Sequence, residues 1–223
     1  MFRRASTNQI GITNVADEAT YRGSSVRSAG RRKPPGWEPS SCAKITETTM
    51  EYSLHLAKPV LRTTPLVLKA MLTDLPKEWT HESEVPDAWT PYQVVGHLAS
   101  VEENDWLDRT RIILEHGPSK VFESIDREAG FERFKGVSLT ALLEHFTETR
   151  TSNLLLLESL VDSKDLDTRG IHPDFGEVRL DQLLAAWVVH DQNHVGQIVK
   201  TMAKQYTSAV GPWRAYLPII DAP

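Results

Sequence analysis

Apolar residues recur at helical spacing through four long stretches after Met50, and the two-residue alternation of a strand persists nowhere. That pattern admits few folds. The first stretch covers about 51–75, "EYSLHLAKPVLRTTPLVLKAMLTDL", with Leu61, Leu68, Met71, Leu72 and Leu75 on one face. Pro59 and Pro65 interrupt it, and Thr64-Pro65 reads as a cap and first-turn pair, so a kink or restart is expected near 64. The second runs from about 90 to 116. Thr90 caps it, Pro91 occupies the first turn, Trp89 is placed to staple onto Val94, and Gly117-Pro118 stops it. The third spans about 138–161 behind Ser138, and the fourth about 180–206. A short helix is expected within 119–136. The segment "DSKDLDTRGIHPDFGEVR" reads as loop, and the C-terminal "GPWRAYLPIIDAP" as a short piece packed on the rest. Four such rods around one core make an all-α four-helix bundle occupying residues 50–223.

Residues 1–49 do not fit that pattern. They are rich in Ser, Gly, Pro and Arg, show no hydrophobic period and read as a disordered basic tail. A positive arm for a partner and a targeting peptide are alternatives. The simplest reading is a non-functional extension ahead of an internal start at Met50. The tail holds eight of the 25 Lys and Arg residues and four of the 30 acids, leaving the body with 17 basic against 26 acidic residues. A body near −9 disfavours a phosphate-binding surface, so no nucleic-acid partner is expected. No apolar run approaches the ~18 residues that cross a bilayer, and no membrane association is expected. The single cysteine, Cys42, excludes an internal disulfide and fits a reducing cytoplasm.

The fourth stretch contains "LLAAWVVHDQNHVGQIVK", in which Leu183, Trp187, His190, His194 and Ile198 share one face. Two imidazoles one turn apart therefore lie on an inward stripe. Burying them is costly unless their nitrogens find partners, and worse if both are protonated. A divalent cation resolves both difficulties by accepting a lone pair from each neutral ring. His97, with Val94 and Val101 on its face of the second helix, supplies a third donor. Three imidazoles with an open position define a catalytic type of zinc site, and nickel or iron also accepts them. His55, His81, His116 and His145 lack such placement. His172, in "RGIHPDFGEV" just before the fourth helix, is a candidate acid–base group or fourth ligand, against the plainer reading of a turn. Asp191 takes the place of the Glu in the H-E-x-x-H of zinc peptidases but lies ~100° around the helix from His190. It is expected to accept from a ligand imidazole rather than act as base. Glu102 and Glu103 read as surface residues without a role.

"WTPYQVVGHLASVEENDW" and "HPDFGEVRLDQLLAAWVVHDQNHVGQI", with the helical spacing between them, resemble the DinB/YfiT-like superfamily of metalloenzymes over roughly residues 50–210. The resemblance implies a four-helix bundle, often homodimeric, with His97, His190 and His194 holding zinc or nickel. It also implies chemistry of the kind seen in transferases that use low-molecular-weight thiols. No cysteine in the folded body can act as nucleophile, so a thiol would come from a cosubstrate and meet a small-molecule electrophile. Trp187, Val101 and Leu98 are expected to give the site apolar walls. Three alternatives remain: a metal-dependent hydrolase, a non-catalytic metal-stabilised binding module with Gln197 or His172 as fourth ligand, and a metal-free bundle whose histidines are satisfied by Asp191, Asn193 or backbone.

Overall fold

The computed structural model describes residues 50–83 and 85–221; the basic stretch 1–49 lies outside them. Four long helical segments form the bundle: α1 (Leu54–Leu72), the consecutive α3 (Pro91–Asn104) and α4 (Trp106–His116), α6 (Leu139–Leu160) and α7 (Leu180–Lys204). Short helices α2 (Lys77–Thr80) and α5 (Ala129–Arg133) lie in the connections. The principal contacts run α1 to α6, α6 to α3, α3 to α7 and α7 to α1. Helices α1 and α3 are therefore diagonal to each other, as are α6 and α7. No described helix is long and apolar enough to cross a membrane.

The expected caps form. Thr90 and Gln93 make a reciprocal capping box at α3, and the Ser138 side chain accepts from the Ala141 N–H at the start of α6. Trp89 packs against the apolar cluster that contains Val94. The short helix expected within 119–136 is α5, and the C-terminal piece consists of 3₁₀ turns that bury Ile220.

Three expectations are corrected. Of the kink or restart expected near 64, the restart is excluded: helix α1 is continuous through Pro59 and Pro65. Pro65 has no N–H to give the Leu61 carbonyl four residues back. The Arg150 guanidinium supplies the missing donor instead, with Nη1 2.7 Å from that oxygen. The second rod is not one helix. It breaks at Asp105 (φ −127°, ψ −70°), and two helices continue on either side. Finally, "RGIHPDFGEVR" is not all loop. β1 (Arg169–His172) pairs antiparallel with β2 (Gly176–Arg179), and the turn between them uses a left-handed residue at Gly176 (φ 72°). The alternation is too short, and too crowded with turn formers, to stand out in sequence.

The core consists of two apolar clusters. One is built on Leu61, Trp106, Leu157 and Trp187, the other on Leu68, Leu98, Phe146 and Ile198. Each long helix crosses a polar layer between them: Thr64 on α1, His97 and Glu102 on α3, Arg150 on α6, and His190, Asp191 and His194 on α7. Arg150, 1% exposed, sits in this layer. It pairs with both oxygens of Asp191 (2.6 and 3.0 Å), one of Glu102 (2.8 Å) and the Leu61 carbonyl. It thus binds α1, α3 and α7 to α6. Asn153 adds hydrogen bonds to the Glu102 side chain and carbonyl. Glu102, read in sequence as a surface residue, is 1% exposed, and burial pushes its carboxyl pKa up against the pull of Arg150.

Removing the cation while leaving two buried carboxylates destabilises a fold by about 3–5 kcal/mol. Arg150→Ala should show that loss in denaturant unfolding. An apolar replacement of all three groups (Arg150→Met, Glu102→Met, Asp191→Leu) should recover most of it.

Candidate metal centre

His97, His190 and His194 each present one ring nitrogen, and the three nitrogens lie within 4.8 Å of one another. The convergence follows from placement. Helices α3 and α7 pack side by side, His97 faces α7, and His190 and His194 are one turn apart on α7. His190 Nε2 is 3.1 Å from His97 Nε2 and 3.1 Å from His194 Nε2.

Proton assignment follows from the other side of each ring. His97 Nδ1 is 2.9 Å from the Arg127 carbonyl oxygen, so it carries the proton and donates. His194 Nδ1 likewise donates to Gln197 Oε1 at 2.8 Å. Both Nε2 atoms are then lone pairs facing His190. A single N–H on His190 can satisfy only one of them, while its own Nδ1 is buried without a hydrogen-bond partner. The arrangement is incomplete without a cation. In a tetrahedral zinc site with Zn–N ~2.0–2.1 Å, ligand nitrogens lie about 3.3 Å apart. The two 3.1 Å spacings about His190 are close to that value, and the donor set supports a divalent metal ion.

The surroundings keep the rings neutral. Burial lowers His97 to about 4, opposed by its hydrogen bond to the Arg127 carbonyl and helped by the charges of His194 and Arg127, and burial with the neighbouring imidazoles and Arg150 lowers His190 to about 3. Burial also lowers His194, opposed by its hydrogen bond to Gln197 and by Asp191. Rings that are neutral at pH 7 are ready to ligate.

The cluster opens on a cavity of about 510 Å³. Its apolar wall is Trp89, Val101, Trp106 and Phe175. Of the expected lining residues, Val101 is present, whereas Trp187 and Leu98 lie in the core behind it. Trp106 sets its edge against His190 at 5.2 Å, and Trp89 lies 5.1 Å from His97. His172 lines the same cavity. Its Nδ1 accepts from the backbone N–H groups of Asp174 (3.1 Å) and Phe175 (3.4 Å). The neutral ring therefore carries its proton on Nε2 and is a donor, which does not suit a fourth ligand. Burial, then Arg109, lowers its pKa. Gln197 orients His194 through its amide oxygen.

Asp191, expected to accept from a ligand imidazole, is instead fully buried with both oxygens on Arg150. The ~100° step from His190 turns it toward α6. His145 bonds Glu103 and is partly exposed, and His116 ends α4. Sequence reasoning missed the Arg127 carbonyl, for which a backbone group gives no signal. It also missed Arg150, whose signal was present: the residue sits on the Phe146–Leu154–Leu157 stripe of α6.

The sequence profile of the DinB superfamily matches residues 61–198, more than half of the chain. The protein belongs to that superfamily. Among solved structures it is similar to YfiT from Bacillus subtilis, described as a probable metal-dependent hydrolase with an unusual four-helix bundle topology. That likeness has a TM-score of 0.61 at 20% identity, covers 76% of this chain and 93% of the other, and concerns the fold. No curated protein matches the sequence.

Two outcomes follow. The Arg127 carbonyl is brought to His97 by close contact of α5 with α3, where a Cβ on Gly130 would overlap the Gly96 backbone. Gly130→Ala should push α5 away and weaken metal affinity about 10-fold in a chelator competition; unchanged affinity would show that this carbonyl is dispensable. Because the ring pKa values fall on folding, their stabilising contribution is complete above about 6.5. It is lost as the pH falls toward about 4 for His97 and about 3 for His190. Melting temperatures of metal-free protein should drop across that window, and less steeply in His190→Gln.

Proposed function

We propose that this protein is a divalent-metal-dependent enzyme, with His97, His190 and His194 holding zinc or nickel and a low-molecular-weight thiol as cosubstrate. The observation that carries the reading is the convergence of three ring nitrogens within 4.8 Å, two of them 3.1 Å from His190 Nε2, on the wall of a cavity of about 510 Å³. Held by the three imidazoles, a divalent ion would supply the acidity that makes a thiol or water nucleophilic at neutral pH. The remaining roles belong to the chain. Arg127 and Gln197 fix the ring tautomers, and the Trp89–Trp106 wall limits water and accommodates a hydrophobic electrophile. His172, with a proton on Nε2, is placed at the cavity wall to donate to the group that departs with the electron pair when the new S–C bond forms. Asp191 serves through Arg150, as a positioning residue.

A metal-dependent hydrolase is the second reading, favoured by the description of YfiT. Water then replaces the thiol, and the same residues serve. The cytoplasm is the expected compartment, on the single cysteine, and a homodimer the expected assembly, on family likeness.

The test uses protein purified without an affinity tag. Elemental analysis should find about one divalent ion per chain, and His97→Ala should lose most of it; unchanged stoichiometry removes His97 from the site. In a cobalt-substituted sample, azide or a small thiol should shift the visible spectrum, whereas an inert spectrum indicates a closed, structural site. Thiol conjugation to a chloronitroarene, lost on chelation, supports the transferase. Turnover of an ester or amide without thiol supports the hydrolase.

A further inference from the structure

A second cavity of about 500 Å³ adjoins the first. The two share Val101, Asp105, Arg109, Ser124 and Ile125 as a common wall. Their linings differ: aromatic rings dominate beside the histidines, while Asp108, Arg111, Lys120, Glu123 and Asp126 line the annex. Arg109 stands where they meet.

Its guanidinium is held from three sides. Nε lies 2.5 Å from Asp105 Oδ1, Nη2 donates to the Glu123 carbonyl at 3.3 Å, and the group lies over the Phe122 ring at 5.3 Å. The Arg109 side chain is 11% exposed. One ion pair and one hydrogen bond leave most of its five N–H groups with no hydrogen-bond partner among the described residues. A fixed, partly desolvated guanidinium with free donors at a cavity wall is built to take a planar anion. Its counter-charge is weakened, because burial raises the Asp105 carboxyl to about 6 against the pull of Arg109. The break in the second rod has a purpose here. Asp105 is the single non-helical residue between α3 and α4, and Arg109 follows one turn later on α4. Arg127, which lines the histidine cavity, adds a second positive charge there. Asp174 at the rim is the acid there besides Asp105.

We infer that one of the two reactants of the proposed thiol transfer carries a carboxylate, and that Arg109, positioned by Asp105, binds it. The inference rests on that reading for the identity of the reactants, but the binding it asserts needs no metal. It makes Arg109 a specificity-determining residue.

The test is calorimetric titration of the metal-free full chain with two matched pairs. 3-Mercaptopropionate is compared with 2-mercaptoethanol, and 4-chloro-3-nitrobenzoate with 1-chloro-2-nitrobenzene. At least one carboxylate should bind about 10-fold or more tightly than its neutral counterpart, the size of a charge-assisted hydrogen bond. The pair that shows the preference tells whether the thiol or the electrophile carries the anion. Arg109→Gln should abolish the preference while leaving the neutral compounds unaffected. The double variant Asp105→Asn/Arg109→Gln removes both charges of the buried pair and gives the same readout should the single variant fail to fold. Equal binding within both pairs, or a preference that survives loss of Arg109, overturns the inference. Because these titrations contain no metal, that failure is separate from an inert cobalt spectrum, which would overturn the proposed function instead.

Discussion

One guanidinium ties the bundle together. Arg150 reaches α1 through a carbonyl that Pro65 leaves without a partner, α3 through Glu102 and α7 through Asp191. Charges in an apolar core rarely improve on hydrophobic packing, and removing one partner is far worse than removing all. What such a group adds is position. Apolar stripes can slide past one another by a turn at modest cost, but a bidentate guanidinium–carboxylate pair admits a single register. Asp191 is adjacent to His190, and Glu102 is five residues beyond His97. The register that satisfies Arg150 is therefore the one that brings the three imidazoles together.

The polar layer extends this logic across the bundle. Two apolar clusters flank it, so the unfavourable desolvation of charges and rings is confined to one level of the core. Within that level the hydrogen bonds are nearly complete on the Arg150 side. On the histidine side they are not: the Nδ1 atoms of His97 and His194 have acceptors, and the Nε2 atoms have only one another. Orphaned N–H groups occur elsewhere in the core, on Arg150 Nε, Trp106 and Trp187, but the histidine cluster is where lone pairs face one another, and a cation is what receives them. Arg150 fixes the register, and the facing lone pairs at the histidines argue for a metal.

Much of this was legible from residue order. The four rods, their caps and the three histidines follow from periodicity and helical spacing, because each is a local property of a single stretch. Some of the errors have a different character. Helix α1 passes through Pro65 because a side chain 85 positions later repairs the gap. Glu102 is buried because Arg150 lies opposite it, not because of its own neighbours. Asp191 pairs with Arg150 rather than with an imidazole, since the ~100° step from His190 turns it toward α6. These three are non-local pairings, and a single sequence carries no record of which rod faces which; the break at Asp105 and the hairpin are local features too short to stand out from the helical and turn patterns around them. Arg150 itself was detectable, as the one cation on an otherwise apolar stripe.

The break at Asp105 shows why such departures matter for chemistry. A continuous helix from Pro91 to His116 would have kept the apolar repeat and presented a smooth wall to α7. One residue outside helical geometry resets the phase of everything after it. Trp106 then stacks on Trp187 at 5.7 Å and sets its edge on His190, while Arg109 lies along the shared wall of the two cavities. The stretch 121–125 closes over this wall, pinned by the Phe122 N–H to the Ile171 carbonyl of β1. The hairpin that carries His172 is therefore fixed to the same segment that supplies Ser124 and Ile125 to both cavities. Rigid helices set the spacing of the imidazoles, and the broken helix with its hairpin shapes what can approach them. A site that takes its donors from the regular part of a fold and its selectivity from the irregular part can change substrates without disturbing its metal.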